Sequence, residues 1–197
     1  MCSIVVSFIR IMSATLLLCL VPVLAASSGG DDDCYPITSA DLRRPDAPRF
    51  EQFPPRDRFT GQPTPVNLRS HPMARQYRAV LQKGAAAGPN FAGHFTIVGW
   101  GCGASCVTFA VVDARTGSVH FPRNFHGVLG NHLATDDFEP TGNGYWGLRY
   151  RIDSELLILL GALDEDENRE GATYYVFRNG TFRHVYSVHV KKRRCVP

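Results

Sequence analysis

His94-Phe95-Thr96-Ile97-Val98-Gly99-Trp100 and, across a glycine-flanked loop, Cys106-Val107-Thr108-Phe109-Ala110-Val111-Val112-Asp113 decide the fold class. Both runs are rich in β-branched and aromatic residues, shorter than an ordinary helix and bounded by turn formers, so they read as strands. Asp113-Ala114-Arg115-Thr116-Gly117 predicts a hairpin loop leading into a third strand over 118–121. Further along, 147–152, 156–160, 173–178 and 181–190 carry the same signature. Asn179-Gly180 joins the last two, because both turn positions demand a left-handed backbone.

Upstream, Ser70 is placed to cap a helix starting near Pro72, with Met73, Tyr77, Val80 and Leu81 on one face and Gly84 ending it. Strands joined through short turns after a single helix predict a mainly β (α+β) fold. The expected form is an antiparallel sandwich or partly open barrel of about seven strands with one N-terminal helix. Propeller-like blades are the second choice, and no internal repeat is evident. Phe91, Phe95, Trp100, Phe109 and Leu157 are the expected core, and residues 122–146, rich in Gly, Asn and His, form a long middle connection.

The first residues read as an export signal. Arg10 precedes an apolar run over 11–24, and Val23-Leu24-Ala25 supplies small residues for cleavage after Ala25. The run is shorter than the ~20 residues of a spanning helix and Pro22 interrupts it, which disfavours stable membrane insertion. Leu16-Leu17-Leu18 before Cys19 lacks the small residue that a bacterial lipoprotein signal places there. Removing residues 1–25 from the 197 leaves 172 and lowers the formal net charge from +3 to +2. That balance gives no reason to expect nucleic acid. Residues 26–69 divide into a polar spacer, including Ser27-Ser28-Gly29-Gly30-Asp31-Asp32-Asp33, and a proline-rich extended arm. Seven of the thirteen prolines fall between Pro45 and Pro72, with Phe50, Phe53 and Phe59 spaced among them as anchors. Residues 70–197 then form one domain.

Signal cleavage takes away Cys2 and Cys19 and leaves Cys34, Cys102, Cys106 and Cys195. An even set in a chain bound for the periplasm or the medium reads as two disulfides among three pairings, with Cys102–Cys106 and Cys34–Cys195 preferred.

Gly88-Pro89-Asn90-Phe91-Ala92-Gly93-His94-Phe95-Thr96-Ile97-Val98, continuing through Trp100-Gly101-Cys102-Gly103 to Cys106, resembles the signature of an uncharacterised family of exported bacterial proteins. The likeness extends through the Val112-Asp113 hairpin, Arg151-Ile152-Asp153-Ser154-Glu155-Leu156-Leu157 and Tyr174-Tyr175-Val176-Phe177, roughly the second half of the chain; the first 60 residues take no part. It implies a recurring secreted module and carries no activity, substrate or catalytic residue.

Several constellations have chemical potential. Cys102-Gly103-Ala104-Ser105-Cys106 lacks the two-residue spacing of thioredoxin-like redox sites, and its preferred reading is a structural disulfide. Three-residue spacing also occurs in copper-delivery proteins, where a distant histidine, here His94 or His120, completes a soft-ligand set. Papain-like and serine-hydrolase readings fail on spacing, since Ser105 lacks the second glycine of a nucleophile elbow. A loop closed by a disulfide suits binding, as in exported lysozyme inhibitors, because pre-organisation lowers the entropy lost on association. Trp100, Gly101, Gly103 and Ser105 are its candidate contacts. Asp153-Ser154-Glu155 reads as a turn, with Asp153 or Glu155 as catalytic partners of His94 in the hydrolase alternative. His126 and His132, with Asp136 and Asp137, are candidate zinc ligands in the long connection, against the simpler reading of a polar loop. Asp164, Asp166 and Asn168 resemble the opening of a calcium loop, but Arg169 and Tyr175 stand at its glycine and glutamate positions, leaving an acidic hairpin tip. His184 shares its strand face with Phe182, Tyr186 and Val188, which predicts a core histidine. Lys191 to Arg194 form a basic tail that reads as solvated.

The expected function is therefore a non-catalytic binding module for an envelope protein or glycan, with no cofactor. The alternatives are a periplasmic hydrolase and a copper- or zinc-binding protein.

Overall fold

A computed structural model describes residues 37–130 and 147–190. The signal segment, Cys34, Cys195, His132, Asp136, Asp137 and the basic tail lie outside the described residues.

The described chain forms a mainly β fold built on one eight-stranded antiparallel sheet that is not closed into a barrel. The strands are β1 Phe95–Gly103, β2 Cys106–Asp113, β3 Val119–His120, β4 Val128–Leu129, β5 Leu148–Tyr150, β6 Leu156–Leu163, β7 Glu170–Arg178 and β8 Thr181–His189. Their order is β1-β2-β4-β6-β7-β8, with β3 added beside β2 and β5 beside β6. β4 is a two-residue splice: Val128 pairs with both Val107 of β2 and Leu163 of β6, joining the two large hairpins.

Side chains alternate across a strand, so each hairpin has two apolar faces to bury. One core contains Ile97, Phe109 and Val111 from the β1–β2 hairpin together with Leu157, Leu159, Tyr175 and Phe177 from β6–β7. The two halves of the sheet thus face each other in a sandwich-like arrangement. The outer face of β6–β7, with Leu156, Ile158, Tyr174 and Val176, packs against Ile37, Ala47, Phe50 and Phe53. The outer face of β1–β2, with Val98, Ala110 and Val112, packs against Ala74, Leu81 and Ala85. Burial on both sides explains why β6, Leu156–Leu163, reads as an unbroken apolar run.

The proline-rich arm runs over this framework. Phe59 N donates to Gly93 O, Thr64 N to Ala114 O and Asn67 N to Gly117 O. A short helix α1, Ser39–Leu42, precedes it. The helical segment that follows is split into a 3-10 turn at Pro72–Arg75 and a helix α2 at Arg78–Ala85. His71, rather than Ser70, caps the turn, its Nδ1 accepting from Met73 N at 3.2 Å. Ser70 instead donates to Asn67 O at 2.6 Å and accepts from Val119 N at 2.9 Å, pinning the arm to β3.

Three further details differ from the sequence reading. β1 continues to Gly103, so the Cys102 loop is a tight hairpin end. Phe91, Phe109 and Leu157 are fully buried, whereas Phe95 and Trp100 are only half-buried at the edges of their clusters. A bulge in β8 opposite Tyr174 and Tyr175 sets Tyr186 against Tyr174 but His184 against Tyr175. The extra residue reverses the alternation, so Phe182 joins the central core while Val188 joins the outer one. His184 precedes the bulge and keeps the face of Phe182, its ring 5.7 Å from Tyr175, yet it is exposed at the rim of that core with Nε2 2.8 Å from Ser187 Oγ.

Candidate functional site

Two features stand at opposite ends of the β1–β2 hairpin. At one end Gly103 pairs with Cys106 around Ala104 and Ser105, and Cys102 and Cys106 form a disulfide with Cα atoms 5.1 Å apart. Ser105 takes a left-handed φ of 56° to close the turn. All five residues from 101 to 105 are exposed, although the same strand is buried from Thr96 to Gly99. The hairpin end is therefore an exposed, clamped projection at the margin of the sheet, tied to β4 by the Cys106–Leu129 pair and by Gly130 N donating to Ser105 O at 2.9 Å. Trp100 does not point with it. Its ring lies 4.6 Å from Tyr77 and 6.2 Å from Phe121, so it anchors the base of the projection on the helical face.

The loop before β4 packs against this disulfide: a side chain at Gly127 would meet Cys102 Sγ at 3.0 Å and Cys106 Sγ at 3.1 Å. Cys102, Cys106, His126, Gly127, Leu129, Asp164 and Glu165 line a cavity of about 300 Å³ beside it. Asp164 organises the loop, accepting from His126 N at 2.6 Å and pairing with Arg169 at 3.0 Å. Asp166 Oδ1 accepts from Asn168 N, so the acidic tip is knit into a turn. Among the described residues no group of three His, Cys, Asp or Glu is arranged to hold a metal ion. His94 stands eight residues from Cys102 along an extended strand, about 27 Å away, and His120, opposite Val111, about 17 Å from Cys106. Neither completes a site with the two sulfurs.

The other end of the hairpin is shaped by the Gly88–Val98 stretch. Asn90 bonds Ile97 in both directions, accepting its N–H at 2.8 Å and donating to its carbonyl at 3.1 Å. Phe91 fills the core. Ala92 and Gly93 adopt φ of 45° and 79°, and Gly93 N donates to Ile152 O at 2.7 Å. Most of this stretch is consumed in folding, and His94 is the group it presents. His94 stacks on Phe95 with centroids 4.0 Å apart. Its Nδ1 lies 3.1 Å from Asp57 Oδ1, off the line of a ring N–H, and Arg115 pairs with the same oxygen at 2.7 Å. The Arg115 hydrogen bond holds the Asp57 carboxyl below its ordinary value.

His94 and Glu155 line a single cavity of about 210 Å³ with Arg56, Asp57, Phe95, Phe177, Arg178 and Asn179. Glu155, 8% exposed, accepts from Arg178 Nε. Asp153 lies elsewhere, held by Arg151 at 2.6 Å in a separate groove, and that contact lowers its pKa. Ser154 is fully buried and donates to Phe50 O at 2.7 Å, so it is a structural tie between β6 and the arm. His120 sits behind the cavity against Phe95 and Phe177, and burial lowers its pKa. Asp57, Arg56 and Arg178 have no local motif; Asp57 is brought to His94 from 37 positions away by the arm.

No protein-family model, curated protein or solved structure matches the chain.

Proposed function

We propose that this chain is an exported, non-catalytic binding module that engages a protein or glycan of the cell envelope through the disulfide-closed hairpin end. The observation that carries the reading is the run of five exposed residues, 101–105, closed by Cys102–Cys106 and rooted in a buried strand. A projection already fixed in one conformation loses little entropy on binding, and the cleft of an envelope hydrolase is the complementary surface that a single narrow loop fits. The likeness of residues 88–106 to exported bacterial proteins supports a location in the periplasm or medium. A photo-reactive residue at Ala104, expressed in cells, tests it against the same probe at Arg183 on the distant β8 strand. A discrete adduct at 104 and none at 183 is the expected result; equal or absent labelling overturns the reading.

The hydrolase alternative draws on one observation, that His94 and Glu155 line the same cavity. Arg178 occupies a Glu155 oxygen, so Glu155 is engaged as half of an ion pair, which favours ligand contact over proton transfer at that carboxylate.

A further inference from the structure

We propose that the cavity between His94 and the β7–β8 turn binds a small organic carboxylate with a flat apolar body. This reading is independent of the hairpin end. The floor is apolar: Phe95 and Phe177 meet edge to face with centroids 4.9 Å apart, beside buried Ala92. A ring laid there gains contact with both aromatic groups.

The charges at the rim select the sign of the ligand. Glu155 is paired with Arg178, and Asp57 with Arg115, so both carboxylates are already matched. Arg56 lines the same cavity, is exposed, and makes no ion pair among the described residues. One guanidinium charge is left over, with the His94 imidazole and the Asn179 amide available around it. A guanidinium donates two parallel hydrogen bonds to a carboxylate, and a cationic ligand would meet Arg56 and Arg178 as like charges. At about 210 Å³ the space is below the range of about 300–1,000 Å³ for drug-sized ligands, which limits the body to roughly one ring.

The walls are fixed before any ligand arrives. Left-handed Ala92 and Gly93 are locked by Gly93 N to Ile152 O and Phe59 N to Gly93 O, while Asn179 takes φ 52° in the tight turn. Gly180 approaches so closely that a side chain there would lie 2.7 Å from the His120 ring.

The test is an amide chemical-shift titration of the mature protein with sodium benzoate, and in parallel with benzylamine and benzyl alcohol. Saturable benzoate shifts confined to residues 56–57, 92–95, 155 and 177–179 are expected, with weaker binding of the alcohol and none of the amine. Arg56→Gln, an exposed substitution, should weaken benzoate binding about tenfold with the spectrum otherwise retained. His94→Gln should weaken it less. Equal binding of benzyl alcohol, preference for benzylamine, no benzoate binding, or an Arg56→Gln variant that binds as well as the parent would each overturn the proposal.

Discussion

Asp57 Oδ1 lies 3.1 Å from His94 Nδ1 and 2.7 Å from Arg115, so one carboxylate of the proline-rich arm links the start of β1 to the loop after β2. The backbone beneath it leaves no room for change. A Cβ at Gly93 would stand 1.9 Å from Asp57 O at a φ of 79°.

Gly93→Ala is therefore expected to destabilise the fold by more than about 2 kcal/mol, through strain and displacement of the arm. Asp57→Asn removes only a solvent-screened ion pair and should cost less than about 1 kcal/mol. Urea unfolding of both variants checks the ranking.

Ser154→Ala should cost about 1–3 kcal/mol. Its buried hydroxyl donates to Phe50 O and Phe53 O and accepts from Leu156 N; truncation removes the acceptor of the Leu156 N–H, while the two carbonyls keep only their bonds from Phe53 N and Glu155 N. Limited proteolysis should also cut the arm near Phe53 faster than in the parent.

Glu155 is nearly buried and its partner is half-exposed, which makes the pair asymmetric. Arg178→Ala leaves a carboxylate without its cation and is expected to cost about 1–3 kcal/mol. Adding Glu155→Leu to that variant should restore part of the loss. A double-mutant cycle measures the coupling.

Asp57 and Asp153 titrate below the ordinary carboxylate value because of hydrogen bonds from Arg115 and Arg151, and burial lowers His120. A folded value below the unfolded one gives stability that is present above the unfolded pKa and lost as pH falls through the folded pKa. Unfolding midpoints should thus begin to decline below pH 6.5, the ordinary His120 value, and decline further below the ordinary aspartate value of 3.8. In His120→Gln the first decline should vanish. Burial pushes Tyr174 up to about 12, so its contribution is present below its ordinary 10.0 and is lost as pH rises through the folded value.

The sandwich-like, mainly β architecture was legible because its largest hairpins carry local signals: Asn179-Gly180, the Asp113–Gly117 loop, and runs of β-branched residues. Phe91, Phe109 and Leu157 followed from the same patterns. β4 was hidden because two residues, Val128 and Leu129, leave no periodicity, although they join the halves of the sheet. The faces of Tyr186 and Val188 relative to Phe182 and His184 were misread because alternation holds only until a bulge, and the bulge in β8 has no composition of its own. At the candidate sites, the clamped Cys102 loop could be read from spacing. The convergence of Asp57, Arg56 and Arg178 on His94 could not, since it depends on how a proline-rich arm and a distant hairpin pack in three dimensions.

The central claim is that the closed hairpin end is itself the contact surface. A cyclic peptide spanning 101–107 and closed by the Cys102–Cys106 disulfide should suppress the adduct formed by the Ala104 probe. The linear peptide with both cysteines replaced by serine should need about tenfold more, because it loses the pre-organisation. If both peptides compete equally, or neither does at concentrations that saturate the partner, the clamped loop is not the binding determinant.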